Sequence, residues 1–159
     1  MGRIIKRDYI RGHIPAALIF ISVVALDQIT KILMKSYIQQ GNSVHLIKNF
    51  LKLTYVTNTG SAFGMLRGMN PALILISAII AAILLHYLIK TENKTERALL
   101  SLILGGTVGN LIDRIAYGSV VDFIELPKWP VFNIADSAIS IGVILLIAVY
   151  FRQKKSASL

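Results

Sequence analysis

The chain contains no cysteine, so disulfides and thiolate metal ligands play no part in its chemistry. Its three histidines, His13, His45 and His86, are far apart, and neither an HExxH pattern nor a paired-histidine spacing occurs, so no metal site is expected. No glycine-rich loop ending in Gly-Lys-Ser/Thr is present, which leaves nucleotide chemistry unsupported. Acidic residues are scarce, at 8 against 17 lysines and arginines, and all charged residues together make up only 16% of the chain. Hydrophobic residues make up 55%, and the mean hydropathy is +0.65. A soluble domain of 159 residues cannot bury that much apolar surface, so the composition specifies an integral membrane protein with one domain over 1–159. In a soluble protein a net charge of +9 would suggest nucleic acid; here its distribution along the chain matters more.

Crossing the hydrocarbon core takes about 20 residues at 1.5 Å each. Four stretches qualify, over approximately 15–34, 71–89, 97–114 and 134–151. The first has an uncharged part, Pro15 to Leu26, that reaches only about 18 Å, so it must carry Asp27 and Lys31 into its far end. The basic N-terminal segment resembles that of a signal peptide, but no small-residue cleavage site closes the apolar run, and a retained first helix is expected. The second starts at Pro71, which suits a first helical turn. The apolar part of the third, Ala98 to Ile112, is short and must borrow from Arg97 or from Asp113 and Arg114. Ten basic residues lie in the three short segments on one side, and seven are spread over two longer connections on the other. The bias predicts both termini in the cytoplasm and the Lys35–Asn70 connection outside. Within that connection LKLTYV alternates as a strand does, TNTG reads as a turn, and SAFGML as a return strand. The expectation is a four-helix transmembrane bundle, all-α, carrying a small outer β-structure over about 44–67, between the first two helices.

Polar residues within the spans fall in stripes. Gly106, Gly109, Asn110, Asp113 and Arg114 share one helical face, as do Asn133, Asp136, Ser137 and Ser140, and Asp27 stands four residues before Lys31. Each has a plain structural reading. Gly105-x-x-x-Gly109 lets helices approach, Asp27 and Lys31 form an ion pair, and Asp113 with Arg114 ends a helix near the headgroups. Asn133-x-x-Asp136 is a capping box, and His86 is a snorkelling or packed residue. Convergence argues for more. Charges inside spans cost about 2.5–3.5 kcal/mol each on insertion scales, and Asp27, Asp113, Asp122 and Asp136 stand at one level. Ionisable groups at membrane depth point to function.

Five motifs in order, DQITK from Asp27, NTGSAFG from Asn58, GGTVGNLIDR from Gly105, VVDF ending at Phe123 and FNIAD from Phe132, resemble the bacterial lipoprotein signal peptidases, or signal peptidase II. No departure occurs within them. The resemblance implies an aspartyl endopeptidase of the cytoplasmic (inner) membrane, with its active site at the outer face. It would cut prolipoproteins on the N-terminal side of a diacylglyceryl-modified cysteine, with Asp122 and Asp136 as the catalytic pair. Asp27, Lys31, Asn58, Gly60, Ala62, Gly109, Asn110, Asp113, Arg114, Asn133 and Ala135 would be supporting or substrate-contacting. It also implies a lipidated prolipoprotein and membrane lipid as partners, globomycin-type peptides as inhibitors, a monomer, and no cofactor, metal or nucleic acid. The 13 residues between the two acids include Pro127 and Pro130 and leave little room for a helical element over the site.

Two close carboxylates can activate water and protonate the leaving amine, because they share one proton rather than ionise together. Asp136, in a first helical turn, is favoured as the anion by roughly 0.3–1 kcal/mol, which leaves the shared proton to Asp122 in an outer loop or strand end. A small transporter or channel subunit is the alternative from another class, although its ion sites would lie near the bilayer midplane. An intramembrane protease of the prepilin-peptidase kind would need a Gly-x-Gly-Asp signature, absent from this sequence.

Overall fold

A computed structural model describes residues 2–60 and 68–156, with side chains described over 12–60 and 68–154. In chain order the elements are α1 (Gly2–Tyr37), β1 (Ser43–Ile47), β2 (Leu51–Asn58), α2 (Asn70–Lys90), α3 (Lys94–Tyr117), β3 (Val120–Glu125) and α4 (Ile134–Ser156). Each helix contains a stretch long and apolar enough to cross a membrane: Gly12–Tyr37, Asn70–Lys90, Lys94–Tyr117 and Ile134–Lys154. α1 overruns its expected start, beginning at Gly2 and carrying both Gly12 and Pro15 inside the helix. α3 starts earlier than its apolar run because Asn93 caps it, its side chain accepting from the Thr95 and Glu96 amides at 2.9 and 3.3 Å.

α3 is the central helix and packs against α1, α2 and α4. Its apolar window is 56% buried, against 11–17% for the other three. Small residues make that position possible. A Cβ on Gly105 would lie 2.9 Å from that of Val23 on α1, and one on Gly106 would lie 2.4 Å from the Ala135 carbonyl oxygen on α4. The helices that surround α3 turn Leu18, Ile21, Ile29, Leu75, Ile79 and Ile144 outward. Polar groups such as Asp27, Lys31, Asn110, Asp113 and Asn133 are buried instead. That inversion suits a hydrocarbon solvent.

The expected β-structure is a three-stranded antiparallel sheet in the order β1–β2–β3. β2 contains the expected LKLTYV strand and runs on to Asn58. The third strand, however, comes from the α3–α4 connection and carries Asp122 at its centre rather than in a loop or at a strand end. The expected return strand SAFGML, with Ala62, lies outside the described residues. Residues Val120 to Phe123 are all buried, which is why this strand shows no alternation in sequence.

Local turns place this strand. Gly118 ends α3 in the left-handed region (φ 72°), its amide donating to the Arg114 carbonyl, and the chain enters β3 two residues later. After β3 the chain doubles back. The Trp129 amide donates to the Leu126 carbonyl at 3.2 Å, with Pro127 second in the turn and Lys128 third at φ 61°. Phe132 then pairs with Ile124, its amide donating at 3.0 Å and its carbonyl accepting from Ile124 at 2.7 Å. This short strap, residues 126–132, has no helical element, and it sets the start of α4 beside Asp122.

Candidate active site

The ammonium of Lys31 anchors the site. Its Nζ lies 2.8 Å from Asp27 Oδ2 and 3.0 Å from Asp113 Oδ2, and donates to Asn110 Oδ1 at 3.0 Å. All three charged residues are at most 1% exposed. One cation cannot satisfy two buried carboxylates, and the chain supplies further donors. The Ala135 amide donates to Asp27 Oδ1 at 3.0 Å and the Val121 amide to Asp113 Oδ2 at 3.1 Å. Gln28 Nε2 lies within 3.2 Å of Asp27 Oδ2, Asp113 Oδ1 and the Gly109 carbonyl. The Asp27 carboxylate also needs room, for a Cβ on Gly109 would sit 2.6 Å from its Oδ2. The cluster fastens α1, α3, β3 and α4 together at one depth. The ion-pair reading of Asp27 and Lys31 is therefore right but incomplete, since Asp113 belongs to the pair rather than to a free helix end. Gln28 escaped the sequence reading; a polar residue beside Asp27 in an apolar run was the available signal.

Two asparagines connect this cluster to the other two carboxylates. Asn110, whose Oδ1 accepts from Lys31, donates through Nδ2 to Asp136 Oδ1 at 2.8 Å. Asn133, 0% exposed, donates through Nδ2 to Asp122 Oδ1 at 2.7 Å and to Asn110 Oδ1 at 3.1 Å. Asn58 Nδ2 donates to Asp122 Oδ2 at 3.0 Å from the neighbouring strand, where Val56 pairs with Asp122 and Asn58 follows two residues on, on the same face. The capping box is present as well. The Asp136 amide donates to Asn133 Oδ1 at 2.8 Å, and the Asn133 amide donates to Asp136 Oδ2 at 3.4 Å. Asp136 thus caps α4 and also shares a network with Asp122.

Both acids line one cavity of about 1050 Å³ together with Asn58, Asn110 and Arg114, while Trp129 to Phe132 of the strap form another wall. Gly60 is fixed at its edge, its amide donating to Asn58 Oδ1 at 3.0 Å and its carbonyl lying 3.5 Å from an Arg114 Nη. The Nε of Arg114 is buried with no partner among the described residues.

Burial, then the charge of Asp136, pushes the Asp122 carboxyl up to about 7, against the weaker opposite pull of Asn58, Asn133 and Lys31. On the same strand Glu125 is held below the usual carboxylate range by its bonds to Lys52 and Thr54. One site thus holds a carboxyl that keeps its proton near neutrality, and beside it an acid with two donors at a helix N-terminus. Such a pair can carry out general acid and general base steps.

The family model described as Signal peptidase (SPase) II matches residues 19–152. A lipoprotein signal peptidase of Halothermothrix orenii is 42% identical over 139 residues, covering 87% of this chain and 96% of that protein. One from Caldanaerobacter subterraneus subsp. tengcongensis is 46% identical over 133 residues, covering 82% and 92%. A solved bacterial membrane enzyme at 2.3 Å superposes with a TM-score of 0.85 at 36% identity, over 89% of this chain and 90% of that one. A second, at 1.9 Å, gives a TM-score of 0.79 at 38% identity over 85% and 91%. The matches favour neither the transporter nor the prepilin-peptidase alternative. Four spans, the three-stranded sheet and these relatives describe a multi-pass bacterial membrane protein, and the chain belongs to the signal peptidase II family of peptidases.

Proposed function

We propose that this peptidase removes signal peptides from prolipoproteins, cutting on the N-terminal side of a diacylglyceryl-modified cysteine, with Asp122 and Asp136 jointly activating water. The observation that carries the reading is the shared network. Asn110 and Asn133 are bonded to one another and each donates to one acid, so the two carboxylates are aimed into one cavity. Relatives named lipoprotein signal peptidase supply the substrate class.

Asp136 is the anion, with donors from the Asn110 side chain and the Asn133 amide at the start of α4. Asp122 carries the shared proton. A water between them gives a proton to Asp136 as its oxygen bonds to the scissile carbonyl carbon, and Asp122 protonates the carbonyl oxygen. Asp136 then passes its proton to the amide nitrogen, the C–N bond breaks, and Asp122 recovers a proton from the gem-diol. Arg114, which lines the cavity, holds a substrate carbonyl. The bias of the basic segments supports cytoplasmic termini and a site at the outer face, where a lipidated cysteine keeps its scissile bond near the interface. Globomycin-type peptides would compete for the same groove.

The test is incubation of the purified protein with a diacylated precursor, beside Asp122→Asn and Asp136→Asn proteins. The wild type releases the signal peptide, and each variant loses about 10³-fold or more in kcat. Undiminished cleavage by either variant removes the carboxylate-pair mechanism.

A further inference from the structure

The cavity that holds the acids has two chemically different sides. Asn58, Asn110, Arg114, Asp122 and Asp136 make one side polar, whereas the strap contributes Leu126 and an unbroken apolar run from Trp129 to Phe132. The same cavity continues past the first turn of α4 to Ile139 and Ile141, with Ser137 and Ser140 as the small polar residues of that wall. Ile141 is 53% exposed and stands seven residues into the helix, about 10 Å below its start, so this end opens sideways at hydrocarbon depth. A ligand that fills such a groove is peptide-like at the acids and long-chain apolar along the strap and α4.

Trp129 stands out on that wall. Its side chain is 62% exposed, yet the backbone that carries it is tightly held. The Leu126–Trp129 turn bond closes beneath it, Pro127 and Pro130 flank it, and Phe132 is paired to Ile124. The turn also keeps Lys128, a residue with a Cβ, at φ 61°, a left-handed conformation that is strained for such a residue and persists where the surroundings enforce it. A large rigid apolar group is therefore presented, unburied, at the rim of the reaction cavity. Indole suits a place with one apolar side and one wet side.

We infer that Trp129 is a specificity-determining residue that packs against the glyceryl-linked acyl chains of the substrate, which leave the groove between the strap and α4 along Ile139 and Ile141. This rests on the reading that the enzyme cleaves diacylglyceryl-modified precursors. The strap then distinguishes lipidated from unlipidated precursors by contact, and the acids, which see only the peptide, do not.

The experiment compares wild type, Trp129→Phe and Trp129→Ala in detergent micelles on one precursor peptide carrying two long acyl chains, two short ones, or none. Wild-type kcat/KM should rise with acyl length. In Trp129→Ala the long-chain advantage should fall about tenfold or more through KM, with kcat within about threefold, while Trp129→Phe keeps most of it. A long-to-short ratio that is the same in Trp129→Ala as in wild type overturns the inference. So does a uniform loss on all three peptides, which would make Trp129 an interfacial anchor only. Wild-type protein that cleaves none of the peptides would instead sink the underlying reading, so the two failures are told apart.

Discussion

Asp122 is a heavily buried carboxyl that keeps its proton up to about pH 7 in the folded protein and, when the chain unfolds, releases it at an ordinary carboxylate value of 3.8. Between those limits only the folded state binds the proton, so stability falls as pH rises through the window and levels off above it. Each pH unit of the window is worth 1.36 kcal/mol, which sets an upper bound of about 4 kcal/mol between pH 4 and pH 7. For a chain of this length that corresponds to roughly 10 °C in Tm. Glu125, held below the usual range by Lys52 and Thr54, has the opposite sign; its contribution is present above its ordinary value and is lost only as pH drops through and below it. The assay is thermal unfolding in micelles from pH 4 to 8 for wild type and Asp122→Asn. The asparagine cannot ionise, so the difference between the two curves isolates this group, and the variant should gain on the wild type as pH rises. Parallel curves would falsify the assignment of a buried, neutral Asp122.

Activity should carry the same signature, with kcat/KM falling above about pH 7 as Asp122 ionises. Because the Asn58 bond favours the ionised form of Asp122, Asn58→Ala should move the basic limb to higher pH, and an unmoved limb would contradict that. Lys31→Met leaves Asp27 and Asp113 buried without their cation and should cost about 3–5 kcal/mol, read as loss of Tm or of folded yield. Gly109→Ala drives a methyl into the Asp27 carboxylate and should cost about 1–3 kcal/mol in the same assay. A fully stable variant would mean that the cluster yields more easily than its geometry implies.

Much of the molecule was legible because lipid imposes simple rules. Apolar length marked the spans, and the charges that violated it, Asp27, Lys31, Asp113 and Asp136, are the ones brought together. The Asn133–Asp136 spacing gave away a capping box because that interaction is local in sequence. β3 was less visible. A strand buried on both faces loses its two-residue period, and its partner β2 lies more than sixty residues away. The strap was legible only as a constraint, since two prolines forbid a helix without saying where the chain returns; the pairing of Phe132 with Ile124 depends on that strand already being in place. Gln28 was hidden by its neighbour, because one glutamine in an apolar run reads as noise until its three acceptors are seen.

The reciprocal bonds between Asn133 and Asp136 have a practical consequence for anyone seeking an inert form of this enzyme to capture its client. An amide at position 136 disturbs the first turn of a membrane-crossing segment as well as the proposed reaction, so a loss of capture there would be ambiguous. Position 122 belongs to a strand whose ladder is made by backbone atoms, and neutralising it leaves that scaffold standing. A trap is better built on the strand than on the helix.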